Sequence, residues 1–137
     1  SDGLEPLGSK TPKQGDKNGT VAFTEVNGTK IYGVNSSLLS ETEKDLGRTM
    51  YSKMKEAGYF NNVKAYGSGH SQVFTHAEAY TLLKAFETYG SELGKRVTIF
   101  CDRHTCGICQ KNLGSIKEFL ELEELIVINK DGSKFIF

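Results

Sequence analysis

The sequence of 137 residues lacks several features that would point to common classes of protein. It has 17 basic and 17 acidic residues and a formal net charge of zero, so no bulk charge attracts a polyanion. It contains no run of about 20 apolar residues, so we expect no segment to cross a membrane. Three cysteines are an odd number, which argues against a disulfide framework. The length fits one domain with a single core.

Proline is also scarce, and both prolines of the chain, Pro6 and Pro12, lie before the first apolar segment. The surrounding segment 1–19 is rich in glycine, lysine and polar residues. This composition is typical of a linker or an irregular lead-in. We therefore expect a folded domain over residues 20–137 that follows a lead-in over residues 1–19.

The first part of this domain has the pattern of a β-hairpin followed by a helix. Two β-rich runs, Thr20–Val26 and Thr29–Val34, are joined by Asn27-Gly28, the strongest short hairpin signal. Ser40 and Glu43 have the spacing of a capping box at a helix start. Gly58 is the expected end of that helix. The predicted apolar stripe of the helix consists of Leu46, Met50, Met54 and Ala57.

The second part alternates helices with strands. After a weak strand signal at Val63–Tyr66, a helix is predicted from His76, with Ala79, Leu82, Leu83 and Phe86 facing the core. Strand Val97–Cys101 leads to a helix from Cys106 with a stripe of Cys109, Leu113, Ile116 and Leu120. Strands Leu125–Ile128 and Lys134–Phe137 end the chain, separated by Asp131-Gly132. The pattern predicts an α/β domain with a mixed sheet of about five strands and helices on both faces.

Two short motifs about thirty residues apart carry the chemistry. They are Thr75-His76-Ala77-Glu78 and Thr105-Cys106-Gly107-Ile108-Cys109. The two cysteines are three residues apart, so they share one face of a helix. They also lie in its first turn, where the backbone N–H groups favour a thiolate. One imidazole and two thiolates make three zinc ligands, whereas a structural zinc site usually has four. The missing ligand indicates a catalytic centre with an open position for water.

Glu78 follows His76 by two residues, so the two side chains do not share one helical face. At a helix start, however, both can approach a metal, with Glu78 beside the metal's water as a proton carrier. Each residue also has a simpler interpretation. The cysteines could form a redox pair, His76 a structural hydrogen bond, and Glu78 a favourable helix-start charge. The order of all four residues on the expected elements favours the metal centre.

These motifs resemble those of the cytidine-deaminase-like superfamily. More narrowly, they are similar to deaminase domains at the C-terminus of bacterial polymorphic toxins, including the DNA cytosine deaminase toxins. Gly33-Val34-Asn35-Ser36 adds a third motif to the resemblance, which covers the chain from about Thr20 onward. In many deaminases the cysteine motif reads P-C-x-x-C. Thr105 stands in place of that proline, as in the toxin branch.

The resemblance implies a zinc-dependent deaminase that converts cytosine to uracil in nucleic acid, with DNA favoured over RNA. It implies His76, Cys106 and Cys109 as Zn²⁺ ligands and Glu78 as the proton shuttle. Asn35 would contact the target nucleotide, although it could equally be a turn residue after a strand. Alternatives are a deaminase of free nucleosides or nucleotides, of RNA or of adenine. A zinc-stabilised binding module without catalysis is a further alternative.

The toxin resemblance also implies partners and a location. We expect a monomeric domain with no membrane partner, and an immunity protein that inhibits it in the producing cell. As a toxin domain, it would be secreted by the producing bacterium and delivered to the cytoplasm of a target cell. Without a toxin role, the domain would be cytoplasmic.

Two segments are candidates for contact with the nucleic acid. The loop 61–75 carries no acidic residue and mixes aromatic and basic side chains with glycine and serine. This mixture suits stacking on a base and contact with a phosphate. The alternative is a flexible loop whose aromatic residues pack in the core. The segment before Cys106 is a second candidate, or else a solvated turn. The predicted contacts are Tyr66, His70, Phe74, Thr75, Ala77, Arg103, His104 and Thr105.

An acidic run near the end of the third helix would repel a polyanion. We therefore expect the nucleic acid to bind on the opposite side of the domain. The run consists of Glu118, Glu121, Glu123 and Glu124.

Overall fold

A computed structural model of the chain describes residues 20–35, 38–103 and 105–137. The predicted lead-in 1–19 lies outside the described residues, as do Ser36 and His104. Within the described ranges, every helix is too short or too polar to span a bilayer.

A five-stranded mixed sheet forms the centre of the described domain, with the strand order β2-β1-β3-β4-β5. Strands β3 and β4 are parallel, and the other neighbouring strands are antiparallel. The mixed α/β sheet of five strands that the sequence predicts is confirmed. The strands are β1 Val21–Val26, β2 Thr29–Val34, β3 Arg96–Cys101, β4 Glu124–Asn129 and β5 Lys134–Ile136.

The predicted hairpin of β1 and β2 is confirmed with the register Val21↔Val34. Asn27 and Gly28 form its turn with φ angles of 51° and 84°. Two successive positive φ angles define a type I′ turn, which asparagine and glycine adopt most readily. The dipeptide therefore fixes the register of the strand pair.

The described residues form three α-helices: α1 Glu41–Glu56, α2 Ala77–Tyr89 and α3 Gly107–Phe119. Short 3-10 helices at Gly69–Thr75 and Gly90–Leu93 precede and follow α2. The capping box of α1 is confirmed, since Ser40 N donates to Glu43 Oε1 at 2.8 Å and Glu43 N donates to Ser40 Oγ at 3.2 Å. In α1, Met50 and Met54 are buried as predicted, but Ala57 is exposed. Gly47 and Tyr51 take part in the buried face instead.

The predicted strand at Val63–Tyr66 is wrong. Val63 N donates to Phe60 O at 3.0 Å, which closes a local turn. The Lys55 ammonium donates to Phe60 O and to Val63 O at 3.2 and 2.7 Å. These backbone groups are therefore bonded locally, and the apolar Val63 side chain is buried in the helical layer rather than in a sheet.

The described helices pack against one face of the sheet, and this layer holds the core. Alternate residues of β1, β3 and β4 are buried on that face, among them Ala22, Ile99 and Val127. Helix α1 packs on α2 and on the first 3-10 helix. The other face carries Phe23 stacked on Phe100 at 5.1 Å, and Phe100 is 38% exposed. The sequence predicts helices on both faces of the sheet, whereas the helices of the described residues cover one face.

Gly33 allows β2 to lie directly against the first turns of α2. A Cβ atom at this position would overlap the Thr81 hydroxyl and would lie 2.8 Å from Thr81 N and 3.0 Å from Ala77 O. Two of these atoms belong to the helix backbone, so a larger residue must push the strand and the helix apart. The glycine of the Gly33-Val34-Asn35 motif therefore sets the position of α2.

We predict that Gly33→Ala lowers the free energy of unfolding by about 3 kcal/mol, because overpacking against backbone is hard to relieve. Gly114→Ala is the matched control, since a Cβ there meets no atom within 4 Å and lies inside α3. This control should raise the free energy by about 0.5–1 kcal/mol. Urea unfolding measures both values, and equal stabilities of the two variants would contradict the close approach.

Candidate metal centre

One edge of the sheet brings the two sequence motifs together. The parallel strands β3 and β4 end there, with Cys101 paired to Asn129. Helix α2 begins after His76, and helix α3 begins after Cys106, so both residues are N-caps. The carboxyl ends of parallel strands are where α/β proteins commonly bind ligands.

The side chains of His76, Cys106 and Cys109 form a potential metal-binding group. Their ligand atoms all lie within 4.8 Å of one another. His76 Nδ1 is 3.1 Å from Cys106 Sγ and 3.3 Å from Cys109 Sγ. Zn–S bonds of about 2.3 Å and Zn–N bonds of about 2.0–2.1 Å at tetrahedral angles would separate nitrogen and sulfur by about 3.5 Å. The three residues fit a small tetrahedral metal ion with shifts of a few tenths of an ångström.

Both motifs owe their shape to the helix starts. The His76 backbone is extended, with φ −103° and ψ 152°, and its carbonyl accepts the first helical bond from Tyr80 N at 3.1 Å. Cys106 is similar, with φ −75° and ψ 168°, and its carbonyl accepts from Gln110 N at 2.9 Å. The cap positions let these side chains point along the sheet edge rather than outward from a helix. Cys109 lies one turn into α3 and is fully buried.

The interaction between the two thiols shifts their pKa values in opposite directions. The Cys109 thiol donates to Cys106 and, with the backbone N–H groups of Cys109 and Ile108 and the nearby His76, lowers the pKa of Cys106 to about 5. The same hydrogen bond, together with burial, raises the pKa of Cys109 far above its usual value. A divalent cation would displace the thiol proton of Cys109 and leave both sulfurs as thiolates.

Glu78 lies in the first turn of α2 beside the metal-binding group and is only 3% exposed. Burial is the main reason that the pKa of its carboxyl is raised. The Cys101 thiol, at the end of β3, bonds to the carboxylate and partly opposes that rise in pKa. A raised pKa makes the carboxyl a stronger base and lets it hold a proton more readily, which suits an acid–base role.

Several predicted substrate contacts are buried by the fold, and this corrects their interpretation. Thr105 and Ala77 are fully buried, and the Thr105 hydroxyl donates to Asn129 Oδ1 at 3.0 Å. Phe74 is 3% exposed and packs on Phe60 with ring centroids 5.6 Å apart. These three side chains have no surface to offer a substrate. Phe74 thus fits the alternative interpretation, in which the aromatic residues of the loop pack in the core.

Tyr66 belongs to the same aromatic packing, although it is only partly buried. Its ring meets Tyr51 edge-on at 5.6 Å, and the Arg48 guanidinium lies 5.9 Å from its centroid. The ring is thus directed towards α1. The structure does not bring Tyr66 together with the metal-binding group.

His70 is exposed and held in a defined orientation. Its Nδ1 lies 3.0 Å from Asn112 Oδ1, and Asn112 Nδ2 donates to Ile108 O at 2.8 Å. Because the amide nitrogen is used by Ile108, Oδ1 must accept, and His70 Nδ1 must carry the hydrogen. The Nε2 atom is left for solvent or a substrate. Six residues of 3-10 geometry, at about 2 Å each, place His70 about 12 Å from His76.

The remaining predicted contacts lie at or near the sheet edge of the metal centre. Asn35 follows β2, and the end of β2 pairs with the start of β1. At that point Val21 O accepts from Asp102 N, just after β3, at 3.0 Å, so Asn35 lies at the same edge as the end of β3. Arg103 is partly exposed between β3 and Cys106. Thr75 precedes His76, and its hydroxyl donates to Gln72 O at 2.7 Å. The candidate His104 lies outside the described residues.

The acidic run lies at the other end of the parallel strands. Glu124 begins β4, and Asn129 at the metal-centre edge ends it. A strand of this length spans about 17 Å. Within the run, Glu118 accepts from the Tyr59 hydroxyl at 2.7 Å, and Glu123 lies 3.7 Å from the Arg96 guanidinium. The negative charge is therefore remote from the metal-binding group.

Sequence reasoning missed three residues that support the centre: Asn129, Asn112 and Cys101. Asn129 had a usable signal, because it is a polar residue directly after the apolar run Leu125–Ile128 at the carboxyl end of a parallel strand. Asn112 and Cys101 had none, since an amide in a helix and a thiol in a strand are ordinary core or surface residues in a sequence.

The low pKa of Cys106 predicts selective alkylation in protein freed of metal with a chelator. Thiolates are the reactive species, so the rate at Cys106 should be near its maximum at pH 7 and fall tenfold per unit below about pH 5. Cys101 and Cys109, whose pKa values are raised, should react more slowly. Peptide mass spectrometry after iodoacetamide treatment measures each rate. A Cys106 midpoint near 8.5, as for a free thiol, would contradict the arrangement.

Comparison with known proteins agrees with the fold and the centre. The model of the MafB19-like deaminase family matches residues 2–135. No curated protein and no solved structure matches the chain. A match over nearly the whole sequence, with a five-stranded mixed sheet and a His/Cys/Cys group at the predicted positions, establishes the family. The chain belongs to the MafB19-like deaminases, a cytidine-deaminase-like family of polymorphic toxins.

Proposed function

We propose that this domain is a zinc-dependent hydrolytic deaminase that converts cytosine to uracil in nucleic acid, with DNA as the favoured substrate. The observation that carries the proposal is the convergence of His76, Cys106 and Cys109 beside the buried carboxyl of Glu78. Zinc deaminases use one histidine and two cysteines as ligands and a separate glutamate as the acid–base group.

Zinc is the metal that best fits these donors. Two thiolates and one imidazole form a soft, tetrahedral set, which suits zinc better than magnesium or calcium. Their charges balance the dication. When bound, zinc supplies Lewis-acid activation of water at the position that three protein ligands leave open.

Glu78 moves the protons of the reaction in this proposal. It accepts a proton from the attacking water and delivers protons to the ring nitrogen N3 and to the departing amine. The oxygen of water forms the new carbonyl at C4, the C4–N bond breaks, and uracil and ammonia result. The raised pKa of Glu78 suits both halves of this transfer, because the carboxyl must hold the proton between them.

Placement of charge supports a nucleic acid substrate on the side of the metal centre. His70, Arg103 and Asn35 lie on the elements that flank the centre, and the acidic run lies at the far end of β4. Polyanion binding at the far end would bring phosphates against carboxylates. Because the net charge is zero, binding would rely on this local arrangement and on contacts with an unstacked base.

A toxin role follows from the family rather than from the site. We propose that the domain acts in the cytoplasm of a target cell after secretion by a producing bacterium, as part of a polymorphic toxin. The producing cell then needs an immunity protein that blocks the centre. Co-expression of a neighbouring inhibitor gene with the domain should restore growth and abolish deamination.

The direct test of the proposed function compares substrates for the purified zinc-loaded domain. We expect conversion of cytosine to uracil in a DNA oligonucleotide, measured by mass spectrometry of the digested nucleosides, and much less conversion of free cytidine. Glu78→Gln should lower the rate at least a hundredfold, since acid–base catalysis contributes on the order of 10²–10⁴. Zinc content should stay unchanged, because Glu78 is not part of the ligand group.

The outcomes of this test separate the alternatives. Faster turnover of free cytidine than of the oligonucleotide would assign a metabolic substrate. Conversion in RNA alone, or of adenine, would keep the chemistry and change the target. A domain that binds zinc, folds and deaminates none of these would be a binding module, and loss of zinc in Glu78→Gln would point the same way.

We predict a substrate-binding role for His70 from its fixed orientation. His70→Ala should lower kcat/KM for the oligonucleotide roughly tenfold, as expected for one lost polar contact. The change should fall mainly on KM. Gln72→Ala is the matched control, since Gln72 is equally exposed on the same 3-10 helix and contributes only its backbone carbonyl to Thr75. Equal kinetics of the two variants would remove His70 from the substrate site.

A further inference from the structure

The buried bond between Thr105 and Asn129 is part of a longer chain of hydrogen bonds that the proposed chemistry does not use. Thr105 Oγ1 donates to Asn129 Oδ1 at 3.0 Å, and Asn129 Nδ2 donates to Ser133 Oγ at 3.0 Å. Ser133 Oγ then donates to Asp131 Oδ1 at 2.6 Å. We refer to these four side chains as the Thr105–Asp131 relay.

The relay has a single direction, because every donor points towards the carboxylate at its end. Asp131 accepts from both the hydroxyl and the backbone N–H of Ser133, the latter at 2.9 Å. Bonds to a carboxylate are stronger than neutral ones, and successive bonds polarise one another. Asn129 uses both ends of its amide and is 3% exposed, so the amide has one orientation. The relay therefore holds the Thr105 hydroxyl at a fixed point.

Fixing Thr105 also fixes the residue that follows it. Thr105 immediately precedes Cys106, and its carbonyl accepts from Gln110 Nε2 at 2.7 Å. Both the side chain and the main chain of Thr105 are thus bonded, one to the β4–β5 turn and one to α3. Cys106 follows as the helix N-cap. The Cys106 sulfur is therefore attached to a backbone that hydrogen bonds hold on two sides.

Thr105 stands at the position of the proline in the deaminase signature P-C-x-x-C. A proline ring fixes φ by covalent restraint, whereas threonine is free to rotate about that bond. A threonine before the first cysteine needs another restraint if the metal ligands are to be preset. The relay supplies hydrogen bonds at the same position.

We propose that Thr105, held by Asn129, is a positioning residue that presets Cys106 for the metal. Through the relay, the β4–β5 turn sets how tightly the centre binds zinc. The inference rests on the proposed zinc site, but it concerns metal affinity rather than catalysis.

The test measures zinc affinity by competition with a chromogenic chelator. Thr105→Val keeps the shape of the side chain but leaves Asn129 Oδ1 buried without its donor, so the affinity should fall on the order of tenfold or more. Thr105→Ser keeps the hydroxyl and should stay within about threefold of the parent chain. Thr98→Val makes the same chemical change in the middle of β3, outside the relay, and should leave the affinity unchanged.

Ser133→Ala tests the far end of the relay and does not risk the core, because Ser133 is partly exposed in a turn. We expect a smaller loss of about threefold, since Asn129 keeps Thr105 but loses its own anchor. Thermal unfolding of the metal-free variants shows whether each one folds. If Thr105→Val cannot fold, Ser133→Ala decides the matter.

Two results would overturn the inference. One is a zinc affinity in Thr105→Val or Ser133→Ala equal to that of the parent chain. The other is an equal loss in Thr105→Ser and Thr105→Val, which would mean that the hydroxyl is not responsible. A parent chain that binds no zinc would instead refute the proposed function, so the two failures are distinguishable.

Discussion

Two helices begin at the same edge of the sheet, and the metal-binding group exists only because they do. The parallel pairing of β3 with β4 makes that edge, and Gly33 lets α2 lie close enough to reach it. With His76 and Cys106 as N-caps, ligand atoms from separate motifs come within 3.1 Å. At the start of α3, backbone N–H groups that have no partner within the helix bond to the Cys106 sulfur and favour negative charge there. The start of both helices at one edge of the sheet therefore determines both the position of the ligands and their charge.

The two kinds of acid at this edge have different surroundings and different tasks. A hydrogen bond from the Cys109 thiol and neighbouring backbone N–H groups lower the pKa of Cys106, which favours the thiolate that a cation requires. Glu78 is equally close to the edge, but its burial raises the pKa of its carboxyl. A ligand must lose its proton permanently, whereas an acid–base group must exchange one. The environments match those requirements.

Local signals in the sequence predicted the elements and the centre well, because their causes are local. Asn27-Gly28 fixes its own turn, and the cysteine motif coincides with the start of α3, with Cys106 as N-cap and Cys109 in the first turn. Errors arose where a residue outside the segment decides the outcome. At the strand expected over Val63–Tyr66, the Val63 carbonyl accepts a hydrogen bond from Lys55 instead of from a neighbouring strand. The pattern of that segment cannot reveal this bond.

The same limit applies to the substrate contacts. Phe74 and Thr105 carry the residue types of a binding surface, yet one packs in an aromatic cluster and the other bonds to Asn129. Neither partner is near in sequence. His70 shows the converse, since Asn112 on another helix defines which ring nitrogen is available. A sequence lists the groups that can bind, and tertiary packing decides which of them remain accessible.

X-ray absorption at the zinc edge of the purified, zinc-loaded domain reports the ligands of the metal centre themselves. We predict one zinc per chain with two sulfur neighbours at about 2.3 Å and nitrogen or oxygen neighbours at about 2.0–2.1 Å, one of them imidazole. A shell of four sulfurs, a shell without sulfur, or the absence of stoichiometric zinc would contradict it.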